Sequence, residues 1–147
     1  MKRLWCSAVA AFVLILAAAP AFARPGLQAG MSIDPDDVLF GLNWHFSPVA
    51  EDLTFVPSAE VGFGDITMVA GNADIHYRLQ IDSKLAPYVG AGVTINWFDF
   101  DGGSDTEVGG SVLGGIQITP KFTFEAKLGL GDVPDAKFIV GFNRGLR

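Results

Sequence analysis

Polar and apolar residues alternate along Ile66–Ile81, and this stretch sets the pattern for the rest of the sequence. From Val69 onward the odd positions are apolar, aromatic or small, whereas the even positions from Asn72 to Gln80 are all polar. Successive side chains of a β-strand point to opposite faces, so this period of two predicts a strand with one apolar and one polar face. A helix would distribute both sets around its circumference.

The same alternation recurs in seven further segments of roughly ten residues, separated by turn signals. In chain order, the apolar positions of the other segments are Leu27, Ala29, Met31 and Ile33; Val38, Phe40, Leu42, Trp44 and Phe46; Leu53, Phe55, Ala59, Val61 and Phe63; Val89, Ala91, Val93, Ile95 and Trp97; Val108, Val112, Ile116 and Ile118; Phe122, Phe124, Ala126, Leu128 and Leu130; and Ala136, Phe138, Val140 and Phe142. Eight strands with short connections predict an all-β fold, an eight-stranded antiparallel up-and-down barrel.

Two positions interrupt the regular pattern. Pro57 falls inside the third predicted strand, where it cannot donate a ladder hydrogen bond, so we expect a bulge or local break there. Asp99–Asp105 has no clear alternation and is predicted to be the longest loop of the barrel.

The N-terminus has the organisation of a secretory signal peptide. Two basic residues precede the apolar segment Ala8–Ala19, and Ala21–Ala23 supplies an A-x-A cleavage pattern. We therefore expect residues 1–23 to be removed and residues 24–147 to form one barrel domain. A membrane-anchor helix is the alternative, but the apolar segment is short for one.

The composition is unusual for a protein surrounded by water. Hydrophobic residues make up 50% and charged residues 18% of the chain, against about 25% charged in a typical soluble domain, and the mean hydropathy is +0.36. No apolar run after the signal peptide reaches the roughly 18 residues of a membrane-spanning helix. Without the two basic residues of the signal peptide, 16 acidic residues face eight basic ones, which disfavours nucleic acid as a partner.

The polar face decides which side of the barrel points outward. It consists largely of Gly, Ser, Thr and Asn and carries about one charge per strand, fewer than the ~25–35% of a water-exposed surface. Small residues and charges of both signs suit a narrow lumen, because an unpaired buried charge is costly. We therefore predict a transmembrane barrel whose apolar face contacts lipid. We predict that the polar residues of the lumen form a structural network and not an acid–base site or a gate. This lumen network comprises Glu60, Asp74, His76, Arg78, Glu107, Glu125, Lys127 and Lys137.

The opposite polarity would describe a soluble periplasmic lipocalin-like carrier, with the apolar face inside. Aromatic positions favour the membrane barrel, because they fall into two sets near opposite rims, as membrane interfaces require. The sets are Phe40, Phe63, Trp97 and Phe138 at one rim, and Trp44, Phe46, Phe55, Tyr77, Phe122, Phe124 and Phe142 toward the other.

Two segments carry a family resemblance. Leu85–Asn96, which contains the sequence PYVGAG, and Thr119–Glu125 resemble strands of the small outer-membrane β-barrel superfamily that includes the opacity-protein-like porins. The resemblance implies a β-barrel of the outer membrane of a bacterium with two membranes. We expect it to be a monomer without enzymatic activity or cofactor, with a structural, interaction or narrow porin-like role. Its expected partners are membrane lipids, lipopolysaccharide and the outer-membrane assembly machinery.

Members of that superfamily commonly end on an aromatic residue that the assembly machinery recognises. The alternating Phe138, Val140 and Phe142 supply this pattern, and Asn143–Arg147 extends beyond it.

A second interpretation is enzymatic. His45 and Ser47, with Glu60, resemble the His-x-Ser and Glu arrangement of outer-membrane lipid A deacylases, in which a serine nucleophile needs a histidine base and an acid to orient it. The lumen placement of His45 and Ser47 argues against it, because a lipid substrate lies outside the barrel. We expect no catalytic site.

Acidic residues recur along Asp99–Glu107, including Asp101 and Asp105. Carboxylates at alternate positions suit calcium, or a divalent cation shared with lipopolysaccharide phosphates, but the full spacing of a calcium loop is missing. We therefore expect a solvated acidic tip and no metal site.

Overall fold

The computed structural model describes residues 23–34, 36–46, 50–64, 67–100 and 103–143, and within these ranges the side chain of Phe100 is not described. Its elements are eight strands: β1 Ala23–Ile33, β2 Asp37–Phe46, β3 Leu53–Gly64, β4 Thr67–Arg78, β5 Ala86–Phe100, β6 Gly103–Gln117, β7 Phe122–Gly131 and β8 Ala136–Asn143. Within these ranges no helix is long and apolar enough to cross a membrane.

The strands form a closed barrel in which each one pairs antiparallel with its neighbour in the chain. The seam is closed by β1 and β8, with Gly30 opposite Ile139. This confirms the predicted all-β, eight-stranded, up-and-down architecture. The alternating stretch Ile66–Ile81 contains β4, which pairs with β3 and β5 along most of its length.

The connections divide between two ends. The β1–β2, β3–β4, β5–β6 and β7–β8 connections lie at one end, which we call the first-connection end. The other three connections lie at the opposite end together with Ala23 and Asn143, and we call this the terminal end. With an even number of strands, both ends of the described chain lie on the same side.

The distribution of polarity is the reverse of that in a water-soluble barrel. Mid-strand apolar side chains are exposed, as in Val93 (57%) and Leu128 (57%), whereas Asp74 and Lys127 are 2% and 4% exposed. The predicted orientation is thus confirmed, and a lipocalin-like arrangement with an enclosed apolar face is excluded. Exposed large apolar residues occur on every strand, for example Leu27, Phe40, Phe63, Val69, Val93, Val108, Leu128 and Val140.

The register places the two predicted aromatic sets near opposite ends. Phe63 lies opposite Val38, next to the β1–β2 connection. Near the terminal end, the rings of Phe122 and Phe142 approach to 5.1 Å. Outward aromatics at both margins leave an aliphatic band between them, which matches the outer surface of a membrane barrel.

Of the two expectations at Pro57, the bulge is wrong and the local break is confirmed on the side of β2. Val56, Pro57 and Ser58 pair one to one with Asp74, Ala73 and Asn72 of β4, so no residue is inserted. The described pairing of β3 with β2 ends at Ser58. Pro57 therefore lies just beyond the β2 ladder, where a missing donor interrupts no pairing.

The expected loop at Asp99–Asp105 is also wrong. Strands β5 and β6 are 15 residues each, and their pairing continues to Phe100 opposite Gly103. A strand of about 9–11 residues is enough to cross a membrane. The 15-residue strands of this hairpin are therefore long enough to extend beyond one. In such an extension the outward face no longer contacts acyl chains, so a polar residue such as Asp99 takes an outward position and the apolar-out, polar-in alternation that marks a membrane strand is lost.

Candidate functional site in the barrel lumen

Two lysines on adjacent strands dominate the charge of the lumen. Lys127 of β7 and Lys137 of β8 lie directly opposite each other in the ladder, and each is 4% exposed. Like charges in this position repel, so each ammonium needs its own counterion. Lys127 Nζ donates to Asp74 Oδ2 on β4, and Lys137 Nζ donates to Glu60 Oε2 on β3 at 2.7 Å.

Both ion pairs cross the lumen rather than following its wall. Strands β7 and β4 are three places apart around the barrel, and so are β8 and β3. Two buried, cross-wall pairs tie opposite sides of the barrel together and fill the space between them. The lumen at this level is therefore occupied by side chains and not open.

A chain of amides extends this network toward the terminal end. Gln28 Nε2 donates to Glu60 Oε1 at 2.7 Å, and Asn43 Nδ2 donates to Gln28 Oε1 at 2.8 Å. Asn143 Nδ2 then donates to Asn43 Oδ1 at 2.7 Å. These bonds join β3, β1, β2 and β8, so they bridge the seam that closes the barrel.

A third group surrounds Glu125 of β7. Tyr88 Oη donates to Glu125 Oε2 at 2.8 Å, and the Tyr88 ring stacks on His76 with centroids 4.8 Å apart. His76 Nε2 lies 3.6 Å from Glu125 Oε2, slightly beyond a direct hydrogen bond. The ring of His45 meets that of His76 edge to face at 6.0 Å.

Toward the first-connection end the lumen is closed by apolar side chains, which the sequence analysis missed. Leu39, Met68, Ala70 and Phe98 form a buried cluster, each at most 5% exposed; we call these four residues the apolar plug. Register explains their meeting, because Met68 lies opposite Phe98. The signal was present in the sequence, since all four occupy inward positions of the alternation.

The structure brings together six of the eight residues predicted for the lumen network: Glu60, Asp74, His76, Glu125, Lys127 and Lys137. Placing Arg78 and Glu107 in it was wrong. Arg78 is exposed at the last position of β4, and Glu107 is half-buried toward the other end, where Asp105 and Asp132 are its charged neighbours. Both have the inward parity but lie beyond the enclosed section of the barrel.

The residues of the deacylase-like arrangement are not assembled in the described part of the chain. Both carboxylate oxygens of Glu60 accept hydrogen bonds, from Gln28 and Lys137. Glu60 pairs with Gly41, four residues from His45, which corresponds to about 13 Å along a strand. Ser47 lies outside the described residues. No acid from this set therefore orients His45.

The acidic hairpin does not gather its described carboxylates on one face. Asp99 follows the outward positions of β5, whereas Asp105 and Glu107 follow the inward positions of β6. Asp101 lies outside the described residues. Among the residues described, no group of three or more His, Cys, Asp or Glu side chains is placed to hold a metal ion.

The fold is similar to those of solved bacterial β-barrels. The N-terminal β-barrel domain of Pseudomonas aeruginosa OprF matches 82% of this chain and 97% of its own, at 19% identity and a TM-score of 0.64. Neisserial surface protein A (NspA) matches 84% of this chain and 94% of its own, at 17% identity and a TM-score of 0.56. The fold is that of small outer-membrane β-barrels.

These identities are low, so the likeness concerns the fold alone. Neither a protein-family model nor a curated protein sequence matches the chain. The particular lumen network therefore has to be understood from its own residues.

The cross-lumen pairs can be tested by removing one partner. In Lys127→Met, Asp74 loses its counterion in a buried site, and we expect the free energy of unfolding to fall by about 3–5 kcal/mol. The measurement is urea unfolding of the barrel in lipid vesicles, followed by tryptophan fluorescence. Lys121→Met is the matched control, because Lys121 is exposed in the β6–β7 connection and should change stability by less than about 0.5 kcal/mol.

Adding Asp74→Asn to Lys127→Met removes the uncompensated carboxylate and should recover part of the loss. Equal stability of Lys127→Met and Lys121→Met would show that the buried pair does not support the barrel.

Proposed function

We propose that this chain is a monomeric structural or interaction protein of the bacterial outer membrane, without enzymatic activity and with a closed lumen. One observation carries the proposal. Large apolar side chains are exposed on all eight strands while ionic side chains fill the interior.

The apolar exterior supports a place in lipid. Soluble monomers rarely expose continuous apolar patches above a few hundred Å², yet here the exposed apolar residues follow every strand around the circumference. In a bilayer the same surface contacts acyl chains, and a closed barrel satisfies its backbone hydrogen bonds internally. Membrane lipids are therefore the partners that fit this surface, with lipopolysaccharide around the cell-surface end.

Charge supports one orientation of the barrel. Exposed acidic residues concentrate at the first-connection end, whereas the described basic residues outside the lumen lie toward the terminal end. The acidic set is Asp34, Asp36, Asp99, Asp105, Asp132 and Asp135, against only Glu51 and Asp82 among the described residues exposed at the terminal end, and the basic set is Arg24, Arg78, Lys84 and Lys121. We place the first-connection end, with its long β5–β6 hairpin, at the cell surface and the terminal end in the periplasm.

The last strand supports delivery by the outer-membrane assembly machinery. Phe138, Val140 and Phe142 of β8 are 45%, 50% and 42% exposed. Their side chains are therefore displayed on the outer surface, where the alternating pattern of a final strand can be recognised.

The interior favours a structural or interaction role over a narrow porin. The apolar plug fills the lumen toward the first-connection end. Two ion pairs cross the lumen between the plug and the terminal end. An ion would have to pass an apolar constriction and separate buried pairs.

Cell fractionation tests the location. After expression with its signal peptide in a bacterium with two membranes, the protein should sediment with the outer membrane on a sucrose gradient and require detergent for extraction. A periplasmic soluble protein expressed in the same strain is the control. Recovery of the chain in the soluble periplasmic fraction would contradict the proposal.

Planar bilayer recording tests the closed lumen. The purified barrel should produce no steady single-channel steps, because the apolar plug and the cross-lumen pairs leave no continuous water path. A general porin incorporated under the same conditions shows that insertion is detectable, and vesicle flotation shows that the barrel itself is inserted. Regular ohmic steps from the unmodified protein would contradict a closed lumen.

A further inference from the structure

The half of the lumen toward the terminal end contains a small polar chamber. Its volume is about 20 Å³, enough for roughly one water molecule. Asp74, His76, Glu125 and Lys127 line it together with Gln28 and Asn43. The network described above therefore surrounds a space that water or a proton can reach.

The buried charges around this chamber do not balance. In the enclosed section between the apolar plug and the terminal end, three buried carboxylates, on Glu60, Asp74 and Glu125, face two ammonium groups, on Lys127 and Lys137; a fourth buried carboxylate, on Asp37, lies outside this section at the start of β2. The two lysines pair with Asp74 and Glu60, so Glu125 is left without a lysine of its own. If both histidines were neutral, the enclosed section would carry a net charge of −1.

Among the titratable and charged groups near Glu125, His76 is the one that can carry a positive charge in contact with its carboxylate. Its direct contacts are the Tyr88 hydroxyl at 2.8 Å and His76 Nε2 at 3.6 Å. Arg24 and Arg78 are exposed to solvent, which screens them. By strand, the groups facing this region are Arg24 on β1, His45 on β2, Glu60 on β3, Asp74, His76 and Arg78 on β4, Tyr88 on β5, Glu125 and Lys127 on β7, and Lys137 on β8, while β6 contributes Gly115.

We propose that His76 and Glu125 together form a binding site for one proton, which stays bound at neutral pH and brings the enclosed charge to zero. The proton lies on His76 Nε2 facing an ionised Glu125, or on Glu125 facing a neutral His76. Both arrangements have the same total charge, and both turn the 3.6 Å approach into an attractive contact. Removing the proton leaves an uncompensated carboxylate in a region without bulk water, which is unfavourable.

The chamber provides the route by which this proton exchanges. Asp74 Oδ1 and His76 Nε2 are buried and have no hydrogen-bond partner within the described part of the chain, and both residues line the chamber. A water molecule placed there would be able to donate to Asp74 Oδ1 and to contact His76 Nε2. The site therefore takes up its proton through hydrated space.

Proton linkage tests the proposal. Above pH of about 7.5 an unfolded chain holds no proton on His or Glu, whose ordinary values are about 6.5 and 4.3. The folded barrel still holds one, so unfolding releases a proton and stability falls as pH rises. Between pH of about 7.5 and 9, the folding constant of the unmodified barrel should fall about tenfold per pH unit relative to Glu125→Gln, which needs no proton.

Glu107→Gln is the matched control. It makes the same chemical change at a half-buried carboxylate outside the enclosed section, so it should keep the pH slope of the unmodified barrel. Equal slopes for the unmodified barrel and Glu125→Gln would overturn the proposal.

A second readout needs no variant and decides the matter if Glu125→Gln does not fold. NMR of the unmodified barrel, with labelled His and Glu side chains at pH of about 7.5, should show a protonated His76 or a protonated Glu125. A neutral His76 beside an ionised Glu125 would overturn the proposal. If a metal cation and not a proton supplied the missing positive charge, His76 would be neutral and Glu125 ionised. Sodium or potassium would then stabilise the folded barrel relative to choline at equal ionic strength.

Discussion

The constraint on which this structure depends is that ionic side chains inside a narrow barrel must neutralise one another across it. No helix or second layer covers the strands in the described ranges, so the outer surface is left to apolar side chains. All charge within the enclosed section is then concentrated in a lumen only a few side chains wide. The ion pairs of Lys127 with Asp74 and Lys137 with Glu60 satisfy this constraint by joining opposite walls.

The same narrowness explains where small residues occur. A Cβ at the inward Gly92 would overlap the carboxylate of Asp74, which crosses to Lys127, whereas one at the outward Gly114 would meet nothing within 4 Å. Inward glycine therefore makes room for the crossing side chains and lets the strands curve around them. The lumen is filled by a few long polar residues, set among glycines, and by the apolar plug.

The sequence predicted the barrel because alternation reports a local geometric property, and eight alternating segments leave few ways to close. Alternation also predicted which face Asp74 and Lys127 share, but not which partner each reaches, since that depends on how far strands shift past one another. The same limitation misplaced Arg78 and Glu107, because parity gives the face of a residue and not its depth. Leu39 and Met68 were overlooked because inward apolar residues contradicted a lumen assumed to be polar throughout, and Asp99–Asp105 lost its alternation where both faces meet water.

The central claim, that the apolar face contacts lipid and the polar face lines a lumen, can be measured residue by residue along β5. Cys6 is the only cysteine in the sequence, so the chain expressed without residues 1–23 accepts a single spin label at Val93→Cys or at the adjacent Thr94→Cys. In lipid vesicles, the Val93 label should relax strongly with oxygen, which concentrates among acyl chains, and the label at Thr94, 3% exposed, should be shielded from it. The reverse result, with the Thr94 label in lipid or the Val93 label enclosed, would contradict the account.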